Sequence, residues 1–130
     1  MNKQIAVCIL ITRTEKYNTE ILAVSRKDNK KDFGLPGGKI EINEEEIPAA
    51  KRELKEETGI DAWLENFKLI FEHEEENCLT KTFLVTNYCG LPYSQTGEGV
   101  VKWVSAETLI NGSFGAYNKK LLQHMKLYEE

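Results

Sequence analysis

Apolar residues recur along the chain with two periods, and the switches between them mark its elements. Ile5 to Thr12 and Glu20 to Arg26 are rich in aliphatic and β-branched residues, with a polar stretch holding Lys16, Asn18 and Thr19 between them. That pattern predicts two strands joined by a turn. Phe67 to Glu75, Lys81 to Tyr88 and Val100 to Ser105 read as further strands. From Glu44 to Thr58 the period becomes helical: Ile47, Ala50 and Leu54 form one apolar stripe at i, i+3 and i+7. Pro48 falls near the start of that helix, where a missing N–H is tolerated, and Gly59 is placed to cap its end. A short helix is expected from Ser105 to Ile110. A terminal amphipathic helix should carry Tyr117, Leu121, Met125 and Tyr128 on one side. Strands before and after a central helix, with a helix at the end, predict an α+β fold with a mixed sheet between helices.

Composition narrows the class. A chain of 130 residues with 41% hydrophobic and 29% charged residues reads as one domain, 1–130, with a real core. A net charge of −4 speaks against a nucleic-acid partner, so an anionic ligand would need cations to mediate its contact. Cys8, Cys78 and Cys89 show no C-x-x-C spacing, which predicts free thiols in a reducing cytoplasm. The apolar run Ile5 to Ile11, seven residues long, is far too short to span a membrane and is expected to be a buried strand.

Between the second strand and the helix, "FGLPGGKIE" gathers Gly34, Pro36, Gly37 and Gly38, the mark of an irregular backbone path. The helix behind it is unusual. Glu53, Glu56 and Glu57 share one face, beside the apolar stripe rather than opposite it. Like charges at this spacing are locally unfavourable, and the last turn of a helix disfavours anions. A solvated acidic face would be the simple explanation. The neighbouring glycine loop and the seam position instead suggest a functional cluster. Oxygen-only ligands suit a hard divalent cation, Mg²⁺ or Mn²⁺, better than zinc.

The stretch from Gly38 to Ile60 resembles the Nudix box, G-x5-E-x7-R-E-U-x-E-E-x-G-U with U aliphatic. Gly38, Glu44, Arg52, Glu53, Leu54, Glu56, Glu57, Gly59 and Ile60 fill every defined position. The resemblance implies the Nudix α/β/α sandwich and hydrolysis of a nucleoside diphosphate linked to another group. It implies that Glu53, Glu56 and Glu57 hold the cations, with the Gly38 carbonyl as a further ligand. Arg52 would orient a neighbouring glutamate, and Glu44 would support the set from the first turn. Where many members have Gly before that last glutamate, this chain has Asn43, which tolerates the left-handed conformation.

Outside the box, Glu98 lies on a glycine-flanked loop where such proteins often carry an extra metal-binding or base glutamate. Glu53 and Glu98 are both candidates for the general base, and the sequence does not choose between them. Lys39 follows "GG" and is placed to touch a phosphate. Phe33, Leu35, Phe83 and Tyr88 are candidates to pack on a base, with core packing the alternative for each. Asn118 in "FGAYNKK" falls about where MutT-like members use an Asn to read a purine edge; capping the last helix is its alternative role. "FEHEEEN" around His73 reads as a solvated strand end, and His124 as a surface residue.

Size and Asn118 together favour a MutT-like hydrolase of a free nucleoside triphosphate, with an oxidised purine deoxynucleotide as one substrate and pyrophosphate as product. ADP-ribose or a nucleotide sugar is the enzymatic alternative. A nucleotide sensor without turnover is the alternative of another class, disfavoured by the complete glutamate set. An RNA 5′-end pyrophosphohydrolase is disfavoured by the acidic balance. Monomer and homodimer both stay open.

Overall fold

The computed structural model describes residues 3–129. Its strand layer is two four-stranded sheets. The first runs in the order β5-β1-β7-β6, built from β1 (Gln4–Leu10), β5 (Gly37–Lys39), β6 (Lys68–Glu75) and β7 (Cys78–Leu84). It is mixed: β1 and β7 are parallel, while β1/β5 and β6/β7 are antiparallel. In the second, β3 (Asn18–Ser25) pairs antiparallel with β2 (Thr12–Glu15), β4 (Phe33–Gly34) and β8 (Val101–Val104).

Side chains alternating along β1 divide two cores. Val7, Ile9 and Ile11 pack with Ala49, Ala50 and Leu54 of α1 (Glu46–Thr58) on one side of the strand layer. Leu10, with Ile21 and Ala23 of β3, packs on the other side against Leu109 of α2 (Ala106–Ile110) and Leu122 of α3 (Gly115–His124). The layered arrangement expected from the sequence is therefore present.

Several bounds differ from the sequence expectation. The first predicted strand breaks at Ile11 into β1 and β2, and the turn shrinks to Lys16 and Tyr17, both at positive φ (49° and 72°). Polar Thr12–Glu15 is strand because β3 pairs with it, not because of its own pattern. The glycine loop contains two short strands, β4 and β5, on either side of Pro36. The β6/β7 hairpin turns at Glu76 and Asn77, so β7 starts three residues earlier and ends four residues sooner than read.

Helix α1 starts at Glu46, leaving Glu44 just ahead of it. Asn43 adopts φ 67°, the left-handed conformation that asparagine tolerates. At the other end Gly59 takes φ 82°, and Thr58 is buried. The Thr58 hydroxyl donates to the Leu54 carbonyl (2.7 Å) and accepts from Ile60 N–H (3.1 Å), which ties the last turn down. Leu54 is fully buried between the helix and β1. Leu54→Ala is expected to lower stability by about 2–5 kcal/mol, read as a shift in the urea midpoint.

Candidate active site

Helix α1 and the Gly37–Gly38 strand approach closely enough to shape the site. A Cβ placed on Gly38 would lie 2.7 Å from Glu53 Oε1. Gly37 N–H donates to Glu57 Oε1 at 2.7 Å. The two glycines thus lie against two of the glutamates; a side chain at Gly38 would displace Glu53, whereas one at Gly37 would meet the backbone of Val7 and Cys8 in β1.

Arg52 organises the rest. Its guanidinium grips Glu44 with two bonds, Nε at 2.6 Å and Nη2 at 2.9 Å. Nη1 reaches Glu53 at 3.0 Å and Glu56 at 3.3 Å. Glu44 also accepts from Glu41 N–H at 2.9 Å, so it fixes the loop entering the helix as well. The Arg52 bond holds the Glu44 carboxyl well down, to about 2.

The three helix glutamates are not equivalent. Glu56 has 54% of its side chain exposed, against 14% for Glu53. Burial pushes the Glu57 carboxyl up to about 8, against the Gly37 N–H bond, with the charges of Glu53, Glu98 and Glu56 adding to the rise. Burial also raises Glu53, opposed by Arg52. Among the described residues no three His, Cys, Asp or Glu side chains converge on one point. Arg52 draws Glu53 and Glu56 to itself, while Gly37 holds Glu57. The donors are nevertheless all oxygens, crowded and mutually repelling, which is the environment a hard cation relieves.

Glu98 is brought to the same place from a distant loop. It lines a cavity of about 200 Å³ together with Glu57, Gly37, Arg26 and Lys27. Lys27 Nζ lies 3.5 Å from its carboxylate. Gly99 keeps the loop there, because it packs on the Ser25 carbonyl with no room for a Cβ.

A second cavity, about 540 Å³, is lined by Leu35, Lys39, Cys8, Thr80, Tyr117 and Asn118 among others. Leu35, Gly37 and Phe114 line both cavities, so the two adjoin along one groove, with Glu57 and Glu98 lining the first and Asn118 the second. Asn118 is buried and donates to the Leu109 carbonyl at 3.4 Å. It is not the helix cap, since α3 begins at Gly115 with Phe114 as its N-cap.

Two aromatic candidates lie elsewhere. Phe33 is buried with Leu10, Val104 and Leu109, and Phe83 with Val7 and Leu54; neither lines the groove. Tyr88 packs against the same α1-side core as Phe83. Residues not singled out from sequence do line the groove: Arg26 and Lys27 at the glutamate end, and Cys8, Tyr117 and the exposed Phe114 further along. His73, Glu75 and Glu76, read as a solvated strand end, also line it. Phe114 lies four residues before Asn118, and that proximity was the available signal.

A family model for the NUDIX domain matches residues 2–125. The 8-oxo-dGTP diphosphatase of Escherichia coli is 31% identical over 131 residues, covering 95% of this chain and 98% of that protein. That of Haemophilus influenzae is 33% identical over 102 residues, covering 76% and 74%. A solved structure from a study of MutT in Aliivibrio salmonicida and Vibrio cholerae aligns with a TM-score of 0.75 at 27% identity, covering 96% and 98%. The ADP-ribose complex of the NUDIX domain of Shewanella oneidensis NrtR shares the fold, with a TM-score of 0.74 at 15% identity over 97% and 88%. With a glutamate helix beneath a glycine strand at one end of a groove, and a family match across nearly the whole chain, this protein belongs to the NUDIX family as a MutT-like member.

Proposed function

We propose that the protein is a Mg²⁺-dependent pyrophosphohydrolase that converts an oxidised purine deoxynucleoside triphosphate to its monophosphate and pyrophosphate. The observation that carries this reading is the pair of adjoining cavities. The first offers the carboxylates of Glu57 and Glu98 with Arg26 and Lys27, and the second a mostly apolar wall around Asn118, with Lys39, His73, Glu75 and Glu76 also lining it. A nucleoside triphosphate has the same polarity: charged phosphates at one end, a flat neutral base at the other. The names of the relatives supply the oxidised purine.

Glu53, Glu56, Glu57 and the Gly38 carbonyl would hold the cation, with Mn²⁺ as a substitute for Mg²⁺. When bound, the cation neutralises the anhydride and lowers the pKa of the attacking water. The protein's own groups do the remaining work. Arg52 fixes the Glu53 carboxylate through Nη1 while Glu44 anchors the guanidinium from behind. Lys27, Arg26 and Lys39 offer positive charge to the phosphate oxygens at the groove wall. Glu53 or Glu98 takes the proton from the water. Leu35 and Phe114 flank the path between the two ends, and the amide of Asn118 presents a donor and an acceptor to the base.

Relative kcat/KM over ordinary and oxidised triphosphates, ADP-ribose and nucleotide sugars tests the substrate. The oxidised purine triphosphate should lead. Cleavage of ADP-ribose alone would overturn the substrate reading.

A further inference from the structure

The inner wall of the groove contains a hydrogen-bonded chain that the proposed chemistry does not use. Cys8 Sγ on β1 lies 3.0 Å from Thr82 Oγ1 on β7. Thr82 Oγ1 lies 2.6 Å from the Tyr117 hydroxyl on α3, and that hydroxyl donates to the Thr80 carbonyl at 3.4 Å. One proton order satisfies all three bonds: the thiol donates to Thr82, Thr82 to Tyr117, and Tyr117 to the carbonyl, which only accepts. Burial raises both ends of the chain, the Cys8 thiol to about 11, so thiol and phenol are neutral at pH 7.

The chain fixes the position of a ring. Thr82 is fully buried, whereas Cys8, Thr80 and Tyr117 all line the groove beside Asn118. Tyr117 is held at its hydroxyl by Thr82 and along its side by Phe71, edge-on with ring centroids 5.6 Å apart. A phenol held at both places cannot swing aside to fit a base of another shape. Phenylalanine in its place would keep the ring and lose the anchor.

We propose that Tyr117 is a specificity-determining residue of the groove. Thr82 acts through it as a positioning residue, and the ligand part recognised is a flat, uncharged nucleobase. This rests on the nucleotide reading of the groove, and it assigns to the Cys8–Thr82–Tyr117 chain the rigidity with which one base is preferred over another. The selectivity belongs to binding, because Thr82 and Tyr117 hydrogen-bond to none of the glutamates; Cys8, whose strand partner Gly37 holds Glu57, is the end of the chain nearest them.

The test compares Tyr117→Phe, Thr82→Val and Thr82→Ser with the wild type. Steady-state kinetics use oxidised dGTP, dGTP and dCTP with Mg²⁺. Calorimetry without metal measures binding of the corresponding monophosphates. For Tyr117→Phe, KM for the preferred triphosphate should rise roughly fivefold to tenfold, as for loss of one neutral hydrogen bond. Its kcat should stay within about twofold and the preference among bases should narrow. Thr82→Val should repeat that pattern and Thr82→Ser should restore the wild-type ratio. Equal KM shifts for all three triphosphates, no shift at all, or a loss confined to kcat would overturn the assignment. If the wild type turns over no triphosphate, the proposed function fails. The monophosphate affinities still decide the role of Tyr117, since an unchanged order of affinities in Tyr117→Phe would refute it independently.

Discussion

Replacing Glu57 by glutamine is expected to lower kcat by roughly a thousandfold and, in the metal-free protein, to raise stability at pH 8. The two effects have one origin. Glu57 is held by Gly37 N–H, with its carboxyl pushed by burial up to about 8. In the unfolded chain the same carboxyl titrates at about 4.3. Between those values the folded protein binds a proton that the unfolded chain releases, so metal-free stability falls as pH rises from about 4.5 towards 8. The slope reaches at most about 1.4 kcal/mol per pH unit for one proton. Glutamine carries no such proton, and the slope should disappear. Mg²⁺ should stabilise the wild type at pH 8 far more than the variant, because a ligand that binds only the folded state adds its binding free energy. Denaturation at pH 5 and pH 8, with and without Mg²⁺, reads all of this. A glutamine variant with wild-type turnover, or with the wild-type pH slope, would contradict the role given to Glu57.

Adjacent glycines should fail in opposite ways. At Gly37 an added Cβ meets the Val7 carbonyl oxygen and lies 2.7 Å from the Cys8 Cα, both backbone atoms of the paired strand. Neither can move without breaking the β1/β5 ladder. Gly37→Ala should therefore destabilise the fold, by about 3 kcal/mol or more. At Gly38 the added Cβ meets the Glu53 carboxylate, the far end of a flexible side chain. That group can swing away. Gly38→Ala should keep nearly the wild-type midpoint in urea while activity falls roughly a hundredfold, because the displaced carboxylate no longer sits where the chemistry needs it. Equal losses of stability in the two variants would show that the loop tolerates neither for structural reasons alone.

The glutamate cluster is local, and for that reason it was legible in the sequence. A helical period, a glycine loop and a fixed spacing lie within the 23 residues from Gly38 to Ile60. The expectation that all three glutamates flank the apolar stripe holds for Glu53 and Glu57 and fails for Glu56, and wheel arithmetic gives the reason. At about 100° per residue Glu57 lies about 60° from Leu54, Glu53 about 100° and Glu56 about 160°. Glu56 is the exposed one, as that order requires.

What depends on contacts across the chain was not legible. Alternation along β7 marks Phe83 as one-sided, yet only packing shows that its side is the α1 core and not the groove. Phe33 is likewise drawn into the other core. The chain through Cys8, Thr82 and Tyr117 joins three elements separated by 74 and 35 positions, and no local pattern links them. Strand β2 is polar and exists because β3 offers it a ladder.

Splitting of a nucleoside triphosphate into monophosphate and pyrophosphate by the glutamate face, with a cation, is the expected reaction. Its most direct test is the phosphorus spectrum of the products from the oxidised purine triphosphate, with Mg²⁺, with chelator, and with Glu57→Gln as control. Pyrophosphate and monophosphate formed only by the wild type with metal are the expected result. Release of orthophosphate, or turnover that survives chelator or the Glu57 substitution, would contradict it.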